Sequence, residues 1–447
     1  MRKNRTPLIG RRTARRPFAA PARPAPNAPT TSTATSTTLD DVGPALLAVE
    51  LALTGDGPWS TALTAIKQIP TGPDATSRAS LFLGAPAAAF ALDAAAADGY
   101  LQVPDAEVVD DARRRQSVLD GYLLEVVEQR LAGAAARAQA GRPPTSAELG
   151  LTDGILGLGV LLLRRAPGSE LMQQVIDYIV GLTRPVLVDG VQVPGWYVHH
   201  APAPGEATPG GHVNLTMASG AAGLLAFLAT CVRAGYSLES LRTPLQDLLD
   251  WFVTWKQPPS AEWPDSVWWP RWVTPSEVQT GHMAGRDEGE ALPSWSRVAG
   301  MARAVQMGAG VLAEGRHARS DEARKVRMMA EEALLACLTD RQVRRLGGGL
   351  WGGLAGLYQT GHRAAAEAVG PMEIRLKHRM SAVGDALRAQ VAAQAAGAPD
   401  DLWSGRSGLQ LAAQTLRRGT APTSRWDACL LITGNPRPAA PRSGTWS

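Results

Sequence analysis

A chain of 447 residues suffices for one large domain or two to three ordinary ones. With 45% hydrophobic and 19% charged residues it is not a disordered polymer. Its net charge of +4 is misplaced as a clue to partners: residues 1–39 carry eight Lys/Arg and no acid, so the remainder nets −4, and a basic nucleic-acid-binding body is excluded.

The first forty residues hold six prolines and run into TTSTATSTTLD, too little apolar surface to offset ordering, so 1–41 is expected to be a disordered tail. RRTARR lacks the apolar core of a secretory signal. A glycine-led apolar helix is predicted at Gly84 (LFLGAPAAAFAL), then an amphipathic one over 108–135, where Val118, Tyr122, Val126, Val127 and Leu131 share a face. Gly154/Gly157 (DGILGLGVLLL) and Gly220/Gly223 (SGAAGLLAFLA) open the next two small-residue helices. The uncharged run Asn214–Val232 is rich in Gly, Ala and Ser, which makes it a buried core helix and no transmembrane segment. Over 236–256, Leu241, Leu245, Leu248, Leu249 and Phe252 mark one face of an amphipathic helix. Gly300 (SWSRVAGMARAV), Gly353/Gly356 (GGLAGLYQT) and Gly405/Gly408 (SGRSGLQLAA) lead three more apolar helices, with amphipathic segments at 320–338 and 372–395 between them. Residues 436–447 read as a flexible tail.

No convincing series of alternating strands occurs, so the fold is all-α. Glycine inside a helix costs about 1 kcal/mol against alanine, and its recurrence calls for close approach of neighbouring backbones. Each unit is an α-hairpin with an apolar inner and an amphipathic outer helix, which buries its faces only by stacking. The expected architecture over 42–435 is an α/α toroid with Gly-x-x-Gly inner helices, their glycine ends on one side, around a central cavity. Cys231, Cys337 and Cys429 are far apart and odd in number, as in reduced thiols of a cytoplasmic protein.

The ordered set SLFLGAPAAAFAL (80–92), GGHVNLTMASGAAG (210–223), SVWWPRWVT (266–274), PSWSRVAGMARAV (293–305), GGLWGGLAGL (348–357) and WDACLLI (426–432) resembles the lanthionine synthetase C family, the zinc-dependent cyclases of lanthipeptide biosynthesis. The resemblance implies a zinc ion held by two Cys and one His, which activates a substrate thiol for addition to a dehydrated residue. Carried over residue by residue, the first Cys falls on Ser296, in a stretch one residue short before Gly300, and the adjacent Cys-His pair falls on Trp351 and Gly352. The family's other His falls on Ser219, its Asp on Gly150, its Arg on Leu292 and its Tyr on Arg297. Hydroxyl, indole and glycine do not make a zinc site, so no metal or other cofactor is expected.

Three functions remain open at this point. In the first, a degenerate scaffold binds a ribosomally made, modified precursor peptide or a dehydratase-type partner enzyme, with His212, Asn214, Trp295, Arg297 and Trp351 as candidate cavity residues. In the second, a zinc-independent peptide-modifying enzyme uses His212, Ser219 and Ser296. In the third, zinc is held by ligands borrowed from Cys231, Cys337 or Cys429. His282 is either on a solvated loop or close to Ser296 in space, and the acidic run Asp287, Glu288 and Glu290 is either a solvated face or a dock for a basic leader. The dense Trp set at Trp251, Trp255, Trp263, Trp268, Trp269 and Trp272 reads as a loop packed over helices rather than a binding surface.

Overall fold

The computed structural model of the chain describes residues 42–71, 79–96, 106–202, 208, 210–283, 291–314, 320–394 and 399–433. The expected tails and the acidic run at 287–290 lie outside them. The longer helices, in chain order, are α1 (Val42–Leu53), α2 (Trp59–Gln68), α3 (Ala85–Ala95), α4 (Ala106–Gln139), α5 (Ile155–Arg165), α6 (Glu170–Thr183), α7 (Ala221–Arg233), α8 (Leu238–Trp255), α9 (Val298–Ala313), α10 (Ser320–Cys337), α11 (Leu354–Glu367), α12 (Pro371–Ala392) and α13 (Arg406–Arg418). Odd-numbered helices form an inner ring: each touches the next, from α1 through α3, α5, α7, α9 and α11 to α13, and α13 closes on α1. Even-numbered helices pack outside. Most inner helices are apolar nearly all round, as a helix buried on nearly every side must be, while α13 exposes Arg406, Arg417 and Arg418. All of α3 is buried, as is α9 from Val298 to Leu312. By contrast α8 buries one stripe, Leu241, Leu245, Leu248, Leu249, Phe252 and Trp255. The strands are slight: a hairpin of β1 (Pro185–Val188) and β2 (Val191–Pro194), and a two-residue pair of β3 (Val213–Asn214) with β4 (Trp272–Val273).

The glycines have a geometric cause. Before each inner helix from α5 onward the chain folds back over the helix start, and loop carbonyls accept the first-turn N–H groups. Ala222 N–H reaches Leu215 O (3.2 Å) and Ala355 N–H reaches Gly348 O (3.1 Å), in both cases seven residues back. No side chain caps α3, α5, α7, α9, α11 or α13, so the backbone does that work itself. The wrap brings the carbonyls of Leu151, Met217, Leu350 and Leu402 so close to Gly157, Gly223, Gly356 and Gly408 that a Cβ there would collide with them. In the fourth unit the same part is played by Trp295 O against Gly300, but the spans are shorter: Val298 N–H reaches Leu292 O, six residues back (3.1 Å). The missing residue read from the sequence is thus a real shortening of one loop. The same glycines also admit the neighbouring unit: Gly300 faces Met217 Cβ at 3.2 Å and Gly356 faces Trp295 Cβ at 3.0 Å, measured from a built Cβ. Gly43 of α1 meets Leu402 N at 2.9 Å, so a seventh glycine, without the Gly-x-x-Gly pair, closes the ring.

The expected central cavity is corrected in one respect: the ring is threaded by the chain's own terminal segment. The one-turn helix Trp426–Leu430, with Ser424 before it and Leu431 and Ile432 after it, is buried, and the segment is bonded to inner helices from several directions. Glu50 of α1 accepts Thr423 N (3.0 Å) and Ser424 N (2.9 Å). Gln359 and Arg363 of α11 donate to Asp427, at 2.7 Å and at 2.6 and 2.8 Å, and Arg303 of α9 donates twice to Ile432 O (3.0 and 2.8 Å). Arg303 also pairs with Glu367, which Arg233 holds from the other side at 2.8 Å. Burial opposes the Glu367 charge, but the two guanidinium groups outweigh it and bring its carboxyl down from 4.5 to about 2.

Two outcomes follow from this packing. Gly356→Ala must push Leu350 O or Trp295 away and is expected to destabilise by about 1–3 kcal/mol, whereas Gly133→Ala in α4, where a Cβ meets nothing within 4 Å, should stabilise by about 0.5–1 kcal/mol. Thermal or urea melts decide, and an equal effect of the two changes would refute the wrap. Because the Glu367 carboxyl is depressed in the fold, its contribution is present above 4.5 and lost as pH falls toward 2. Wild type should exceed Glu367→Gln by about 3 kcal/mol near neutrality, and the gap in urea midpoints should close by the acid end. A gap that stays constant with pH contradicts the assigned pair.

Candidate functional site

The loops that wrap the inner helices meet on one face of the ring, and they carry the positions singled out in the sequence. Ser296 and Trp351 are neighbours: Ser296 N–H donates to Trp351 O at 3.3 Å. The Ser296 side chain is buried with its Oγ 3.3 Å from Ser294 Oγ. Gly352 is exposed, and a Cβ placed on it would meet no atom within 4 Å. Ser219 is half-buried in the loop before α7, next to the Gly150 loop, where Leu151 N–H donates to Ala218 O at 2.7 Å. Leu292 and Arg297 are half-buried on the loop that carries Ser296.

What stands at this place is aromatic. Trp295 stacks on Trp403 (centroids 5.4 Å apart, planes at 18°), and Trp351 lies edge-on to both at 5.5 and 5.3 Å. Phe82 adds a fourth ring, 4.8 Å from Trp403. Trp295 is held from below, its Nε1 donating to Leu430 O at 2.9 Å, so the buried terminal segment supports the floor. Trp351 is fixed through its backbone, since Trp403 O accepts both Leu350 N (2.7 Å) and Trp351 N (3.1 Å). Trp403 and Phe82 escaped the sequence reading. Their signal was register: Phe82, Trp351 and Trp403 each directly follow a leucine (Leu81, Leu350, Leu402) at the same point of the wrap.

The remaining candidates lie elsewhere or serve the fold. His212 is fully buried, with Nδ1 3.0 Å from His200 O and its ring edge-on to His200 and Trp272; unlike Ser219 and Trp351 it does not reach the surface. Asn214 shapes the turn into α7, its Oδ1 accepting Thr216 N at 2.8 Å. His282 is exposed beyond the short helix Pro275–Thr280. The Trp set is packed against the core: Trp255, Trp263, Trp268 and Trp269 are buried, and Trp269 Nε1 donates to Phe252 O at 2.8 Å. All three cysteines are buried, and burial pushes each thiol well up from its ordinary range.

The donor set at the positions onto which the resemblance carries the metal ligands does not fit zinc. One serine hydroxyl turned toward another serine, one indole and one bare glycine supply none of the three N, S or O⁻ ligands such a site needs. Among the described residues no three His, Cys, Asp or Glu side chains are grouped so as to hold a metal elsewhere. Nor is any described helix long and apolar enough to cross a membrane.

Comparison with known proteins places this geometry. The solved structure of nisin cyclase superposes with a TM-score of 0.69 over 88% of this chain and 90% of its own, at 16% identity, which is likeness of fold. No curated protein matches the sequence. The lanthionine synthetase C-like family matches residues 41–277 and stops short of the loops that carry Ser296 and Trp351. That match covers more than half of the chain, which therefore belongs to the lanthionine synthetase C-like family.

Proposed function

We propose that this chain is a catalytically degenerate member of its family that binds a modified precursor peptide of ribosomal-peptide maturation, or a dehydratase-type enzyme acting on one, instead of forming thioethers with zinc. One observation carries the reading: the scaffold and the wrapped loops persist, while Ser296, Trp351 and Gly352 stand at the positions onto which the sequence resemblance carries the ligands. Zinc chemistry activates a thiol by coordination; a hydroxyl and an indole offer no such activation, whereas an aromatic floor offers contact area to a peptide. The buried His212 leaves the zinc-independent alternative without an accessible base among the residues named for it.

The purified chain, incubated with a dehydrated, cysteine-containing precursor peptide and zinc, is expected to show saturable binding with no loss of free thiol. Thioether formation by the wild-type chain would sink the proposal. The scaffold also makes a constructive expectation. Because the Ser296 and Trp351 backbones are in hydrogen-bond contact and Gly352 faces open space, the combined change Ser296→Cys, Trp351→Cys and Gly352→His should create a tight zinc site. Elemental analysis after dialysis should find near-stoichiometric zinc in the triple variant and little in the wild type; the reverse pattern, or equal zinc in both, counts against the assigned positions.

A further inference from the structure

The outer helix α4 has two unlike sides. Through buried Leu119, Leu123, Val126 and Val127 it packs on α3, α5 and α6. On the opposite side Val118 is 59% exposed and Tyr122 39%. Among the described residues from Val118 to Ala140, the only exposed charges are Glu125 and Glu128. The outer helices α10 and α12 instead dress their exposed sides with ion pairs, Asp321 with Arg324 and Glu373 with Lys377, as suits a helix that faces water.

The spacing on this side points to what covers it. Val118, Tyr122, Glu125, Gln129, Ala132 and Ala136 follow one another at alternating steps of four and three, the seam of a two-helix coiled coil. The seam is large at its start, polar in the middle and small at its end. Laid antiparallel on a second α4, about a two-fold axis at Val127, it sets Val118 against Ala136, Tyr122 against Ala132 and Glu125 against Gln129. Each large side chain then meets a small one, and each carboxylate meets an amide that can donate to it. A parallel pairing would set Tyr122 on Tyr122 and Glu125 on Glu125, which wastes the small residues and opposes like charges. We infer that this side of α4 is a self-association surface, on which a second copy of the chain seats its own α4 antiparallel. The inference is independent of the proposed function. One helix pair buries less than a standard interface of about 1,600 Å², so the dimer is a weak one, with a Kd on the order of 10–100 μM. Glu128, on the flank of the seam, meets the Glu128 of the second copy near the axis and weakens it further.

Sedimentation velocity of the full chain, from about 5 to 500 μM, should show a monomer passing into a dimer. Tyr122→Ala and Ala132→Glu should each weaken association about tenfold or more, and Glu128→Gln should strengthen it about threefold. The register is read by oxidation. The double variant Tyr122→Cys and Ala132→Cys should form a covalent dimer, whereas Val118→Cys with Ala132→Cys, one layer out of step, should not. The three native cysteines are buried and do not compete. The substituted residues are all exposed, so every variant should melt as a folded monomer at high dilution. A chain that stays monomeric throughout overturns the proposal and assigns the face to another occupant. A dimer indifferent to both Tyr122→Ala and Ala132→Glu, or one that cross-links only in the out-of-step pair, overturns it equally.

Discussion

The structure depends on a contact that only glycine permits, in which a loop carbonyl rests against the first turn of the helix it precedes. Leu350 O over Gly356 and Leu402 O over Gly408 are two instances, and each leaves no room for a Cβ. The contact does three things at once. It satisfies first-turn N–H groups without a side-chain cap. It opens a slot into which the adjacent unit inserts, as Trp295 does beside Gly356. It also sets the wrapped loops on one face, where Ser296, Trp351 and Trp403 become neighbours. A fold built this way holds its surface loops as firmly as its core, so the residues on that face can change chemistry while their backbones keep their places.

The lumen is the second half of the design. A ring of mainly apolar helices leaves polar groups inward, and the terminal segment answers them with backbone carbonyls and one carboxylate. Asp427 meets Arg363 and Gln359, while Ile432 O meets Arg303. Buried charges of this kind add little net stability when paired and cost several kcal/mol when one partner is removed. They therefore act chiefly to specify where the segment lies. Its upper end bears on Trp295, so the position of the lumen segment and the shape of the aromatic floor are mechanically one fact.

Much of this was legible in the order of residues. The glycine pairs locate α5, α7, α11 and α13 because a backbone contact leaves a compositional trace, and the shortened loop before Gly300 shows as a spacing anomaly. That Ser296, Trp351 and Gly352 stand where the resemblance carries the family's zinc ligands is read from the motifs, position by position. Other features have no local trace. Gly43 lies in α1 without a second glycine, and its partner Leu402 is far away in sequence. WDACLLI is recognisable as a motif, yet its place in the lumen follows from Arg303 and Arg363, 129 and 64 residues distant from the groups they bind. Trp403 and Phe82 needed register as well as residue type, because a tryptophan on a loop looks the same whether it faces solvent or a second indole.

The bond from Trp295 to the Leu430 carbonyl also orders events in time. Domains are made from the N-terminal end during synthesis, and residues 423–432 leave the ribosome after every helix they touch. Until they do, the tryptophan floor lacks the carbonyl that holds Trp295 from beneath. The aromatic face is thus completed only once the last described stretch of the chain is in place.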